Sequence, residues 1–411
     1  MQTPSIDLAP GVFSGLKVIE MGSGAAGPVA TRYLAEQGAT VIRIESSKRP
    51  DFLRVLWLTP DSKHGLEGSP MFAMLNPGKH SVAFDLKQPQ GVAAAKRLVE
   101  WADVLCENFA PGPMERFGMS WPALREINPR LVMASGCMFG QTGPHRGYPG
   151  FGAQGSALSG FNHLTGWPDR ASTGPSGTIT DSLAPRYVAL AIVGALIERE
   201  RTGRGQYIDL AQVEAAVYST SDVMLRYFAN GEVVTRNGNR NPHAAPHGAF
   251  PCAGQDRWIA ITCSNETEWA ALRRAMGDPD WCSDPKFGSI EGRKANEDEL
   301  EQQLGAWTSG FEPHALMETL QAAGVPAGAV QNFEAIQHDP QLAARRHFQL
   351  REHPALGPLQ LEHTGFRLSD SPPDYATPGP TLGAHTRWVL RDVLGLAEDE
   401  IASLEADGVL V

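Results

Sequence analysis

Short apolar runs alternating with helix-length segments constrain this chain most, because few architectures accommodate them. Leu16-Lys17-Val18-Ile19-Glu20-Met21 is a strand-length run closed by a glycine-rich turn. Pro28 to Gln37 then reads as a helix, with proline suited to its first turn and Gly38 to its end. Thr40-Val41-Ile42-Arg43-Ile44 repeats the strand pattern, and so does Ser81 to Leu86. Gln90 to Ala102 has helical apolar spacing, followed by buried strands at Val104-Leu105-Cys106 and Leu131-Val132-Met133-Ala134. Alternation of this kind predicts an α/β fold with a doubly wound parallel sheet.

Further along, Ala189 to Glu200 is a strongly apolar helix closed by Gly203 and Gly205. Gly231 to Gly248 is rich in Gly, Asn, Pro and His and reads as a connection. The expected organisation is a large domain beginning at residues 1–228, a smaller mixed domain at 229–330, and a C-terminal part, 331–411, returning to the large domain. That last part ends in helical patterns, including Thr386 to Leu394.

Gly22-Ser23-Gly24-Ala25-Ala26-Gly27 fits GxGxxG between a strand and a helix, and Glu45 stands near the distance expected of a ribose-binding acid. Three readings stay open on local grounds. The segment binds a dinucleotide, or its glycines only permit a tight turn, or its helix N-terminus takes another phosphate such as that of the ADP moiety in coenzyme A.

Composition removes other classes. A formal charge of −11 disfavours a nucleic-acid partner. No run of about 18 uncharged apolar residues suggests a membrane span, and Met1 to Asp7 lacks the basic and apolar pattern of a secretory leader. Five scattered cysteines without a CxxC pair point to reduced, structural thiols in a cytoplasmic protein, and no Cys/His group has metal-ligand spacing.

Several ordered blocks together resemble the class III coenzyme A-transferase family (the CaiB/BaiF type). They begin with Ala26-Gly27-Pro28, Val41-Ile42-Arg43-Ile44-Glu45 and Asn76-Pro77-Gly78-Lys79-His80-Ser81. Next come Asp103-Val104-Leu105-Cys106-Glu107-Asn108-Phe109, Arg116, and Phe139-Gly140-Gln141-Thr142-Gly143-Pro144. Thr180-Asp181 leads into the apolar helix, and Gly324-Val325-Pro326 and Leu382-Gly383-Ala384-His385-Thr386 fit late in the chain. The resemblance implies an interlocked dimer and CoA transfer between carboxylic acids, with acyl-CoA as substrate and no permanently bound cofactor. It implies Asp181 as covalent nucleophile. CoA contacts are expected at Gly24, Ala25, Arg43, Lys79, Asn108, Phe109, Arg116, Gly140 and Gln141.

Each assignment has a plainer alternative. Asp181 precedes a helix, where Asp commonly serves as N-cap. Arg116 has Glu115 or Glu126 as potential salt-bridge partners, and Arg43 and Lys79, flanking strands, are open to solvation. His145 reads as a loop histidine. The aromatic set Phe161, Trp167 and Tyr187 suits either an acyl pocket or a core. Gly140 to Gly143 is a candidate source of oxyanion-binding amides.

The chain also departs from the family pattern. Pro185 and Arg186 follow Asp181 where many relatives have glycine at the fourth position, and Ser46 replaces an arginine that binds CoA in some relatives. Asp181 to Arg186, with Leu164-Thr165-Gly166-Trp167-Pro168-Asp169, resembles a subgroup acting on larger acids, including benzylsuccinate CoA-transferase. Some of that subgroup pair two paralogous subunits. The chain is therefore expected as a homodimer or as half of a hetero-oligomer, where it is either active or a silent partner. A racemase of 2-methylacyl-CoA is the other reading. It requires a Gly-His-Asp block, where this chain has Gly150-Phe151-Gly152.

Overall fold

The computed structural model describes residues 11–411 apart from Trp57, Pro60, Tyr375 and Ala376. The segment read for a leader, Met1 to Asp7, lies outside the described residues. Six strands form one sheet: β1 (Lys17–Met21), β2 (Thr40–Glu45), β3 (His80–Ala83), β4 (Val104–Glu107), β5 (Val132–Cys137) and β6 (Tyr207–Ala211). Their order is β3-β2-β1-β4-β5-β6, and each neighbouring pair is parallel. Parallel neighbours need crossovers. Helix α1 (Ala26–Glu36) joins β1 to β2, and α2 (Pro89–Trp101) lies between β3 and β4. The expected doubly wound α/β sheet is therefore present.

Register explains why both faces of the sheet are apolar. Val18 aligns with Val41 and Val104, and Val104 with Val132; all four join the cluster that includes Leu34 of α1. One residue on, Ile19, Ile42, Leu105 and Met133 join the other cluster with Leu98 of α2. Alternate side chains thus feed two cores, as a sheet covered on both sides requires. Val389, Leu390 and Ile401, from the C-terminal segment, are buried in the second cluster.

Two elements depart from the sequence pattern. The strand β6 has an exposed Asp209 and a mostly half-buried face, so its five residues lack the apolar run of an interior strand. The pattern also predicts a helix only from Ala189, whereas α4 spans Ile179–Thr202 and ends at Gly203, whose φ of 73° suits a C-terminal glycine. Asp181 is accordingly the third residue inside the helix rather than its N-cap, and Pro185 lies in the second turn rather than the first. Having no N–H, Pro185 leaves the Asp181 carbonyl without its helical donor. By length and apolarity α4 resembles a membrane span, but Val188, Ile192 and Ala195 are buried in the sheet's first core.

Two compact units divide the chain. One takes the chain up to His163, with Gly174–Val234 and Ala343–Val411. It includes the hairpin β10 (Phe348–His353) and β11 (Gly357–Glu362). The other takes Leu164–Thr173 and Thr235–Leu342. There β7 (His247–Pro251), β8 (Trp258–Thr262) and β9 (Ala327–Val330) form an antiparallel sheet over Ile259, Ile261, Trp269, Leu300 and Leu320.

Candidate active site

The strand order reverses between β1 and β4, the place where doubly wound sheets open a crevice beyond their carboxyl ends. Met21 aligns with Glu107, so the turn after β1 and the Asn108-Phe109 pair after β4 emerge together. The Ser23 amide donates to Asn108 Oδ1 at 3.0 Å, and Asn108 Nδ2 donates to the Ser23 carbonyl at 2.7 Å. Gly22 has φ 132°, and a Cβ there would stand 1.9 Å from Asn108 Oδ1. Only glycine fits.

This contact settles the GxGxxG motif. The Gly24 amide donates to both Asp51 oxygens, at 3.0 and 3.1 Å, and the Ser23 hydroxyl reaches the same carboxylate at 2.9 Å. An internal carboxylate thus takes donors that a pyrophosphate would need. Glu45 is equally committed, accepting from Arg54 at 2.9 Å and from the Ser81 hydroxyl at 2.7 Å. The Ser23 and Gly24 donors and the Glu45 carboxylate are thus engaged within the chain.

Arg43 and Lys79 require correction. Both are about 1% exposed, with their cations turned inward. Arg43 ion-pairs with Glu20 and Asp51 and lies 3.3 Å from Glu45. Lys79 donates to Glu20 at 2.6 Å, the Pro28 carbonyl at 2.7 Å and Asn76 Oδ1 at 2.8 Å, which uses all three ammonium protons. Charged side chains tolerate burial only when paired, and these cations serve buried carboxylates rather than an external phosphate. Burial pushes the Glu20 carboxyl up, but Lys79 and Arg43 outweigh it and hold the group at about 2. Burial lowers Lys79 to about 8, against the pull of Glu20.

The other expected CoA contacts fall in two places. Phe109 packs edge-on against Phe117, with ring centroids 6.4 Å apart, and its amide donates to Glu107 at 2.7 Å. Arg116 is exposed and has no ion pair among the described residues, so neither Glu115 nor Glu126 claims it. Gly140 has φ 79°, and the Gln141 amide donates to Asp209 Oδ1 at 2.8 Å. Gln141 lines a cavity of about 580 Å³ with Glu107, Trp121 and Tyr207. Asp181 does not line that cavity.

Asp181 opens instead on a larger cavity of about 960 Å³, which Ala25, Met71, Arg186, Leu190 and His363 also line. Its surroundings are close-fitting. Gly152 begins α3 (Gly152–Leu158), and a Cβ on it would stand 2.4 Å from Asp181 Oδ2 and 2.5 Å from Thr178 Cβ. Burial raises the carboxyl above its ordinary range, while hydrogen bonding from Thr178 and Gln212 works the other way. Gln212 begins α5 (Gln212–Tyr218); it is buried, and its Oε1 has no partner among the described residues. The arrangement offers one partly desolvated carboxylate, oriented by neutral donors, at the wall of a roomy and mainly apolar space.

A profile of the CoA-transferase family III matches residues 13–386. The chain belongs to that family. The transferase is 35% identical over 402 residues to the succinyl-CoA–D-citramalate CoA-transferase of Chloroflexus aurantiacus, covering 98% of each chain. It is 32% identical to the beta subunit of the succinyl-CoA–L-malate CoA-transferase of the same organism, over 97% of this chain and 98% of that subunit. The crystal structure of a CAIB/BAIF family protein from Brucella suis superposes with a TM-score of 0.85 at 30% identity, over 94% of this chain and all of the other.

Gly152, Thr178, Gln212 and Glu107 are the transferase's notable groups that sequence reasoning missed. The stretch around Gly152 attracted attention only for the histidine it lacks, and nothing local in sequence links Gln212 to Asp181. Glu107 sits in the block used for recognition, yet only burial reveals its character. Desolvation raises it to about 7, against hydrogen bonds from Ser135 and the Phe109 amide.

Proposed function

We propose that the transferase exchanges coenzyme A between succinyl-CoA and a second dicarboxylic acid, with Asp181 as the acyl-accepting nucleophile. The observation that carries this reading is the Asp181 carboxyl on the wall of the 960 Å³ cavity, with no ion-pair partner among the described residues. The dicarboxylic substrates named for its relatives support the choice of acid.

In this reading an Asp181 oxygen attacks the thioester carbonyl, the C–S bond breaks, and a mixed anhydride and CoA thiolate result. The thiolate attacks the aspartyl Cγ and expels the donor acid as carboxylate, leaving an aspartyl-CoA thioester. The acceptor carboxylate attacks that carbonyl and releases the thiolate, which then takes the acceptor acyl group and frees Asp181. No proton is gained or lost overall. Thr178 and Gln212 address the aspartyl carboxyl itself, where oxyanion charge develops in the middle steps. Asn108, Phe109 and Arg116 at the switch point supply the CoA contacts, together with Ala25 at the cavity's edge. Arg43 and Lys79 shape that crevice from within.

Incubation with succinyl-CoA and hydroxylamine, followed by mass spectrometry, should place a hydroxamate on Asp181. Asp181→Ala should lose on the order of 10⁶-fold in kcat, the scale of loss on removing a covalent nucleophile. Modification elsewhere with Asp181→Ala fully active refutes the assignment. An acceptor panel running from malate and citramalate to benzylsuccinate reads the size of acid.

A cytoplasmic dimer, interlocked as the family resemblance implies, is part of the same proposal. The strongly exposed Tyr218, Leu225 and Phe228 support an apolar contact face. The similarity to a named beta subunit supports a second reading, in which a paralogous subunit completes the enzyme. Turnover by the purified chain alone separates the two.

A further inference from the structure

Asp181 is not the only ionisable group that α4 presents to its cavity. Arg186 lines the same space, five residues on. At a rise of about 1.5 Å per residue the two are about 7.5 Å apart along the axis. The guanidinium closes part of that distance. Helical side chains lean toward the N-terminus, and Arg186 Nη1 donates to the Ser182 carbonyl at 2.8 Å, one residue from Asp181.

The charge on Arg186 is not used to hold the fold together by an ion pair: among the described residues no carboxylate pairs with it. Of the cavity's other ionisable groups, Arg32 pairs with Glu362 at 3.0 Å and His363 with Glu36 at 3.0 Å, while His347 packs its ring against Phe348. A cation folded toward a helix N-terminus also opposes the helix dipole. The walls next to it are apolar, through Ala189, Leu190 and Val193. With one nitrogen on a carbonyl, the planar fork keeps further donors facing the cavity, in the geometry that carboxylates match.

We propose that Arg186 receives the second carboxylate of a dicarboxylic acyl group while the first reacts at Asp181. The proposal rests on the reading above and deepens it. Specificity for diacids then comes from the helix that bears the nucleophile, and the acyl chain lies along α4 between the two charges. A monocarboxylate of equal length leaves Arg186 unanswered, and a site built around a polar group discriminates strongly against analogues that lack it.

The test compares kcat/KM for succinate against butyrate, and glutarate against valerate, in wild type, Arg186→Gln and Arg186→Lys. Wild type should prefer each diacid by about 100-fold or more. Arg186→Gln should reduce that ratio toward unity, mainly through KM for the diacid, and Arg186→Lys should recover part of it. Hydroxylamine trapping at Asp181 with saturating butyryl-CoA should be the same in all three proteins. An unchanged diacid ratio in Arg186→Gln, with trapping at Asp181 intact, overturns the role of Arg186 and leaves the nucleophile standing. Absence of an Asp181 adduct in wild type instead removes the reading beneath it. A wild-type enzyme that accepts butyrate as readily as succinate overturns the proposal without any variant.

Discussion

Gly152→Ala isolates the fit around Asp181. The glycine has ordinary backbone geometry at the start of α3, so alanine is conformationally acceptable there and gains up to about 1 kcal/mol of helix propensity. Space decides the outcome. The added carbon would meet Asp181 Oδ2 at 2.4 Å and Thr178 Cβ at 2.5 Å. Non-bonded carbons settle at about 3.5–4.0 Å, so both neighbours must retreat by roughly 1 Å. Overpacking of this kind costs about 1–3 kcal/mol, which offsets or outweighs the propensity gain and leaves a net loss of roughly 0–2 kcal/mol. A displacement of about 1 Å at a reacting group costs far more in rate, on the order of 10²-fold. The control is Gly155→Ala, whose carbon would press on Thr180 Oγ1 at 2.6 Å and Met138 Sδ at 2.9 Å, ahead of any contact with Asp181. Thermal melts and kcat/KM on both variants give the answer. Comparable melting losses with activity lost mainly in Gly152→Ala support the reasoning. Equal activity loss in both variants refutes it, because helix packing rather than carboxylate displacement would then be responsible.

Gln212→Met removes a donor that lowers the Asp181 pKa, so, with Asp181 as the proposed nucleophile, the acid limb of the kcat/KM profile should move to higher pH; an unmoved limb excludes Gln212 from positioning Asp181. Glu107 titrates at about 7 in the fold against an ordinary 4.5, so the native state binds the extra proton between those values and stability falls as pH rises through that window. The shift of 7 − 4.5, or 2.5, corresponds to about 3 kcal/mol. Glu107→Gln, which copies the protonated form, should therefore gain stability over wild type at pH 8 and little at pH 4.5. Parallel denaturation curves at the two pH values would contradict this.

The sheet was legible because period and punctuation agreed. Val18-Ile19, Val41-Ile42 and Val104-Leu105 feed opposite cores, and runs apolar at successive positions identify strands covered on both faces. The edge strand β6 was not legible, since Asp209 interrupts its apolar pattern. The start of α4 was obscured by Pro185, which suits a first turn by propensity but is held in the second by packing of Ala184 and Val188. At the site, the expectations for Asp181 and the Asn108-Phe109 pair rest on ordered motifs; the structure places Asp181 on a cavity wall and Asn108 beside the turn after β1. Arg43 and Lys79 were misjudged because a charged residue looks the same in sequence whether it faces water or Glu20. The contact of Gly152 with Asp181 joins positions 29 residues apart through a helix crossing, and no local pattern encodes it.

Beneath the crevice, the buried Arg43, Arg54 and Lys79 face the buried Glu20, Glu45 and Asp51, and Arg54 also pairs with the half-buried Glu67 at 2.8 Å. Losing one member strands its counter-charge at a cost of about 3–5 kcal/mol. Drift in this part of the chain must therefore proceed by compensating double replacements. Because these residues are spread between positions 20 and 79, each charge meets its counter-charge only when the whole segment is assembled. Half-docked states of these first strands keep an open charge and are disfavoured, which ties the shape of the crevice floor to complete folding.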